Sequence, residues 1–354
     1  MRARRRLFII SLCVLLFVAA VAVVVVLRKR AAPEAARLLP EADAVVYIDF
    51  ATVRNLTQLD QQQLPRLAPE YEDFVKQTDF SFERDLDEAA MAVHRGTGGR
   101  ATRYSEILIG RYDQGKIAAY LRQRAASMES YRNVEVFSIP IENRTLRIAL
   151  LTIDTVAISN VDDPGVLHGI IDRFKKVALP FGGPRLVRTY YPKIPLGSLL
   201  WTVAHLPAGA QTPQHASPSF TLPGGIDIGL PSDSDVVLSL RVLTNIHARA
   251  DFFTPSEEAA RNFAEQSNTF LSLFRSIQAS SAPGAADADI KAVFDSIKIT
   301  QKGDSAEVTA TIPPGFLKKL AREPATVQEG GAHLQPQPPA PQPPPSAPKG
   351  KKKH

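Results

Sequence analysis

Seven histidines, one cysteine and a few Ser, Gly and Arg clusters are the residues of this 354-residue chain whose chemistry could serve catalysis, metal binding or phosphate capture. A zinc-type site needs His, Cys or carboxylate pairs at short fixed spacings, so that several ligands converge on one ion. No histidine here has such a neighbour. His168 falls on an expected helix, His94, His205 and His247 on or beside expected strands, His215 in a loop, and His333 and His354 in the tail. Each reads as a structural or surface histidine. A serine nucleophile fares no better, because the chain lacks the Gly-x-Ser-x-Gly elbow that projects a strained serine. The Ser-x-x-Lys match, Ser346 to Lys349, stands in a proline-rich tail.

The loop Gly96-Thr-Gly-Gly99, with Arg95, Arg100 and Arg103 around it, offers free backbone amides and positive charge to an anion. It has neither the Lys-Ser/Thr pair of a phosphate loop nor a helix start behind it, so a hairpin tip with a solvated basic rim fits better. Asn55-Leu-Thr57 and Asn143-Arg-Thr145 match the glycosylation pattern, which matters only in a glycosylating host. No catalytic, cofactor-binding or metal-binding residue is therefore expected, no cofactor, and no enzymatic activity.

The elements that would carry these residues follow from periodicity. A turn and an apolar strand over 45–50 open the body, and Tyr71, Phe74 and Val75 mark one buried face of a helix over 69–77. Strands over 88–94 and 105–112 flank the Gly96 loop, a helix spans 114–126, and 134–139, 146–153 and 156–159 form a meander. Asp163 and Pro164 start a helix that runs to Lys175. Nine prolines then punctuate 178–234 around Trp201, on a strand over 198–204, as an irregular excursion or a boundary.

Beyond it come strands over 235–244 and 247–252. The capping box Thr254-Pro-Ser-Glu257 opens a helix striped by Ala260, Phe263, Phe270, Leu271 and Phe274, which reads as core rather than ligand pocket. A short helix over 287–294 and a hairpin around Lys302-Gly-Asp304 close the pattern. Strands in adjacent pairs with helices between them predict an α+β fold, mostly antiparallel sheet with packed helices. Residues 38–177 and 235–322 both run strand pair, helix, strand hairpin, which suggests two similar halves on either side of 178–234.

Charge separates the ends from the body. The formal net charge is +6, but residues 1–30 and 349–354 hold eleven Lys/Arg and no acid, which leaves 31 basic against 36 acidic residues between them. A mildly acidic body has no broad phosphate-binding surface, which excludes nucleic acid as a partner. Residues 7–27 are uncharged and about 30 Å long as a helix, enough to span a bilayer. They read as a single N-terminal transmembrane signal anchor between a basic cytoplasmic stub at 1–6 and a linker at 28–37, with the lipid bilayer as partner. Cleavage after Ala22 is the competing reading, since Ala20-Val-Ala22 has a processing-site pattern. Cys13 lies inside this segment, so the body can hold no disulfide. The folded part would then lie outside the cytoplasm, on the inner membrane. Residues 323–354, rich in Pro and ending in Lys351-Lys-Lys-His354, read as a disordered extended tail with a basic tip.

The Leu39-Pro-Glu-x-Asp-x-Val-Val-Tyr-Ile-Asp49 opening, the Phe82-Glu-Arg-Asp-Leu-Asp87 stretch and the Asp295-Ser-Ile-Lys-Ile-Thr300 segment resemble membrane-anchored proteins of the bacterial envelope built on a domain of unknown function. That resemblance implies an envelope setting and no catalytic residue. Three functions remain in play. The first is a non-catalytic module that contacts an envelope protein or an anionic wall polymer. The second is a small-ligand or lipid-binding sensor with the region around Trp201 as a lid. The third is an enzyme of unfamiliar type.

Overall fold

The computed structural model describes residues 31–57, 69–96, 101–142, 144–175, 182–208, 219–222, 226–280 and 288–313. In chain order the first part holds α1 (Glu34–Leu38), β1 (Ala44–Asp49), α2 (Phe50–Thr57), α3 (Pro69–Thr78), α4 (Phe82–Asp85), β2 (Leu86–His94) and β3 (Arg103–Gly110). Then come α5 (Gln114–Arg124), β4 (Ser127–Tyr131), β5 (Val134–Ile141), β6 (Arg144–Leu150), β7 (Thr155–Ser159) and α6 (Gly165–Lys175). The remainder is α7 (Arg185–Tyr190), β8 (Ser198–Leu206), β9 (Ser219–Leu222), β10 (Ile226–Gly229), β11 (Ser234–Val242), β12 (Ile246–Phe253), α8 (Glu257–Ser280), α9 (Ala288–Ser296), β13 (Lys298–Lys302) and β14 (Ser305–Ile312).

Twelve of the strands join one sheet, in the order β13-β14-β12-β11-β8-β1-β2-β3-β7-β6-β5-β4, and β9 pairs with β10 apart from it. Every neighbouring pair is antiparallel. A strand sends alternate side chains to opposite faces, so the sheet has two apolar surfaces to cover. On one face Val45 and Tyr47, Ile107, Val136, Ala157, Trp201 and Val203 meet α1, α6 and α7 in a continuous core. Ala35, Ala36 and Leu38 of α1 and Leu167, Ile170 and Ile171 of α6 are fully buried there. Burial of each large aliphatic side chain contributes about 1.5–3 kcal/mol.

The opposite face is covered in two places. Ile117, Ala118 and Leu121 of α5 pack on Phe137, Ile148 and Leu150 at one end, and Phe263 of α8 packs on Val236, Phe252 and Ala306 at the other. Both ends wind alike. A hairpin leads into a helix on this face, and the last strand of the returning chain, β7 or β14, pairs with the hairpin's second strand, β3 or β12.

Local signals act as their chemistry requires. Asp113 caps α5 by accepting from the Lys116 amide, and Asp163 accepts from Gly165 before α6. Gly303 supplies the positive φ of +59° in the β13–β14 turn. The cap of α8 differs by two residues from the expected box: Ser256 accepts from Ala259, while Thr254 is buried and donates to the Asp304 carbonyl, so its hydroxyl is taken up by the neighbouring turn.

Two expectations are corrected. Among the described residues no helix is long and apolar enough to cross a membrane. The longest described helix, α8 with 24 residues, buries Ala260, Phe263 and Leu271 but exposes Glu257, Arg261 and Glu265, a polar face that hydrocarbon does not tolerate. The expected transmembrane helix over 7–27 lies outside the described residues, and the single-pass architecture and inner-membrane placement built on it are withdrawn. The structure supports a large antiparallel sheet with helices, which is compatible with the α+β class. The second correction concerns Trp201, which is 1% exposed and stacks on Tyr47 at 5.3 Å. It belongs to the core and to no lid. The prolines around it lie outside a regular strand, β8, which sits between β1 and β11.

Candidate functional site

Among the described residues, His94, His168 and His205 make side-chain contacts between elements. His94 Nε2 lies 3.1 Å from Ser105 Oγ, which in turn lies 3.0 Å from Ser159 Oγ. A serine beside a histidine is the outline of a nucleophile and base, but Ser105 is 0% exposed, so no substrate reaches it. Burial pushes the His94 imidazole down, against the opposing charge of Asp43. His168 stacks on Tyr131 at 4.0 Å and meets Glu129 at 2.7 Å, which ties α6 to β4. His205 Nδ1 lies 2.8 Å from Asp235, whose other oxygen accepts from the Tyr190 hydroxyl at 2.6 Å. His247 stands in β12 opposite Arg241 and Thr311. His215, His333, His354, Cys13 and the Ser346–Lys349 match lie outside the described residues. Among the described residues no group of three metal-ligating side chains converges.

The Gly96 loop is described only in part, since 97–100 lie outside. Its described arginines are engaged: Arg95 donates its amide to Asp43 and its guanidinium to the His205 carbonyl, and Arg103 pairs with Asp162. Asn55 is exposed on α2, and Asn143 lies outside the described residues. Phe263 and Phe274 pack on Phe252 and Phe294 at 4.6 and 3.9 Å, as core.

What the sequence reading missed is a cavity of about 300 Å³ under α3 and α5. Its floor is the sheet face where Leu108 of β3, Ile139 of β5, Leu146 and Ile148 of β6, and Val156 and Ile158 of β7 stand on alternate positions. Its roof is Ile117, Tyr120 and Leu121 of α5. A helix 10–12 Å across covers about two strands, and here the apolar face spans β3, β7, β6 and β5. The shortfall is the cavity.

Aromatic rings build the remaining wall. Phe74 of α3 meets Tyr120 edge-on at 5.1 Å, and Phe80 meets Phe82 at 5.2 Å and Tyr112 at 6.4 Å. Such pairs add about 0.5–1.5 kcal/mol each beyond their burial, which holds the rings of this wall together. Tyr112 is pinned by donating to the Thr152 carbonyl at 2.6 Å, and burial, with Asp154 beside it, pushes its phenol far up. Gly110 lets the chain pass the wall: a Cβ there would stand 2.5 Å from the Asp85 carbonyl oxygen. Phe82 and Ile141, 39% and 47% exposed, mark where the lining meets solvent.

Arg124, the last residue of α5, is the charged member of this lining. Its guanidinium lies 3.6 Å from the centre of the Tyr120 ring and donates to Asp73 Oδ2 at 3.1 Å and to the Tyr120 carbonyl at 3.4 Å. Glu106 stands beside the cavity on the same sheet face, opposite Ile158 and two residues from Leu108. Burial pushes its carboxyl up, and it has no hydrogen-bond or ion-pair partner among the described residues. A carboxylate inside the apolar run Ser105–Gly110 was the one sequence signal of an unusual surface at this point.

No protein-family model matches the chain. No curated protein matches it either. Solved structures do: crystal forms III and IV of TP0453 are each 9% identical with a TM-score of 0.44, over 82% and 83% of this chain and 98% of theirs. Crystal form I of the same protein is 10% identical with a TM-score of 0.39. Likeness at that level shows no function, and none is taken from it.

Proposed function

We propose that this chain is a non-catalytic binding module that shelters the apolar part of a small ligand between α3, α5 and strands β3 and β5–β7. The observation that carries the reading is the cavity of about 300 Å³ with an apolar and aromatic lining. That volume is at the lower end of the range of ligand pockets, roughly 300–1,000 Å³. Water finds few hydrogen-bond partners along an apolar wall, so an apolar occupant that displaces it is favoured. The serine and histidine contacts outside it are buried or without a nucleophile, which leaves catalysis unsupported. The contact with an envelope protein or anionic wall polymer rested on the anchor and the tail. The anchor is withdrawn, and the tail lies outside the described residues.

The test uses the full chain with dodecanol as probe. Dodecanol is expected to raise the thermal unfolding midpoint, and Ile139→Trp, which fills the half-buried floor, to abolish that rise while leaving the ligand-free midpoint within a few degrees of the parent. No binding by calorimetry and no thermal shift up to the solubility limit of the alcohol would end this reading.

A further inference from the structure

Arg124 gives the cavity a polarity that its walls lack, and we infer that the ligand is an anionic amphiphile, a carboxylate on an apolar chain, whose head meets the Arg124 guanidinium while its tail enters the cavity. This rests on the reading above and names its ligand class. A guanidinium carries five N–H donors in a planar fork matched to a carboxylate. Two donations are made here, to Asp73 and to the Tyr120 carbonyl, which leaves three N–H donors without a partner among the described residues. The side chain is held in place for a ligand by stacking on Tyr120 at 3.6 Å and by the Asp73 contact, so little rotamer freedom is lost on binding. It is 34% exposed, at the boundary between the apolar lining and solvent, where a charged head can keep water while the tail is buried. Asp73 works against the anion, since its carboxylate already offsets the charge of the guanidinium.

A purely structural role for Arg124, tying α5 to α3 through Asp73, makes a different prediction for R124Q and D73N. Affinities of the full chain for dodecanoate and dodecanol, both below their aggregation limits, separate them. The parent is expected to bind dodecanoate about tenfold or more tightly than the alcohol, the size of one charge-assisted hydrogen bond. R124Q should lose that preference and keep its affinity for dodecanol, whereas D73N should keep or increase the preference. Equal binding of acid and alcohol by the parent overturns the inference and leaves the cavity reading standing. So does a matched loss of both ligands in R124Q and D73N, the mark of a broken helix contact. Binding of neither probe by the parent overturns both.

Discussion

Glu106 is the residue whose setting most contradicts its chemistry. It stands on the apolar face of β3 between Met91 on β2 and Ile158 on β7, and desolvation raises its pKa above the ordinary carboxylate value. The folded state therefore holds a proton that the unfolded chain releases at the ordinary value, near 4.3. Its contribution to stability is fully present below that value and is lost as pH climbs through the raised one. Glu106→Gln keeps the neutral shape at every pH. The variant should match the parent's melting temperature at pH 4 and exceed it at pH 8. A gap of equal size at both pH values would show that ionisation is not the cause. The carboxylate within the apolar run of β3 is visible in the sequence, but alternation places Glu106 on a face without saying whether a helix, a cavity or water lies over it.

At the scale of elements, the helices are tied down by few side chains, and Arg275 of α8 is the clearest case. Its Nη2 lies 2.9 Å from the Phe294 carbonyl, 3.2 Å from that of Asp295 and 3.0 Å from that of Ile297. These carbonyls end α9 and lead into β13, where the last turn of a helix leaves acceptors without an internal donor. Phe274 stacks on Phe294 at 3.9 Å beside them. Arg275→Ala removes the shared donor, at an expected cost of about 1.5–3 kcal/mol. The loss should be local: amide exchange in α9 and the β13–β14 hairpin should quicken, with β1–β7 protected as before. Uniform quickening across the sheet would place the effect elsewhere. The hairpin itself was readable from Lys302-Gly-Asp304, since Gly303 has to supply the positive φ. The arginine was not, because its three acceptors lie 19 to 22 residues away.

For the whole molecule the decisive strand is β8, which joins β1–β7 to β11–β14 by pairing with β1 on one side and β11 on the other. Trp201 anchors it, stacked on Tyr47 at 5.3 Å and edge-on to Tyr191 at 5.6 Å. Trp201→Ala opens a hole in the shared core, with an expected cost of about 3–5 kcal/mol. Because the strand belongs to both sides, urea unfolding followed by far-ultraviolet circular dichroism should shift as one transition to lower urea. Two separated transitions would show that the two sides fold independently.

Most strands and helices of this protein are legible along the chain, since apolar spacing, capping aspartates and turn glycines act over a few residues. Strands Val134–Ile141 and Ser305–Ile312 and helix Gln114–Arg124 stand close to where periodicity put them. The expected linker over 28–37 is corrected by α1, whose short Glu34–Leu38 run has too few turns to show a period yet buries three residues, and β4 gave no signal, because Ser127–Tyr131 is largely exposed and has no alternation to read. The mid-sheet place of β8, the burial of Trp201 and the narrowness of α5 against the face beneath it come from long-range packing. Those outcomes depend on which distant surfaces meet and how well their widths match, and spacing along a chain does not encode width.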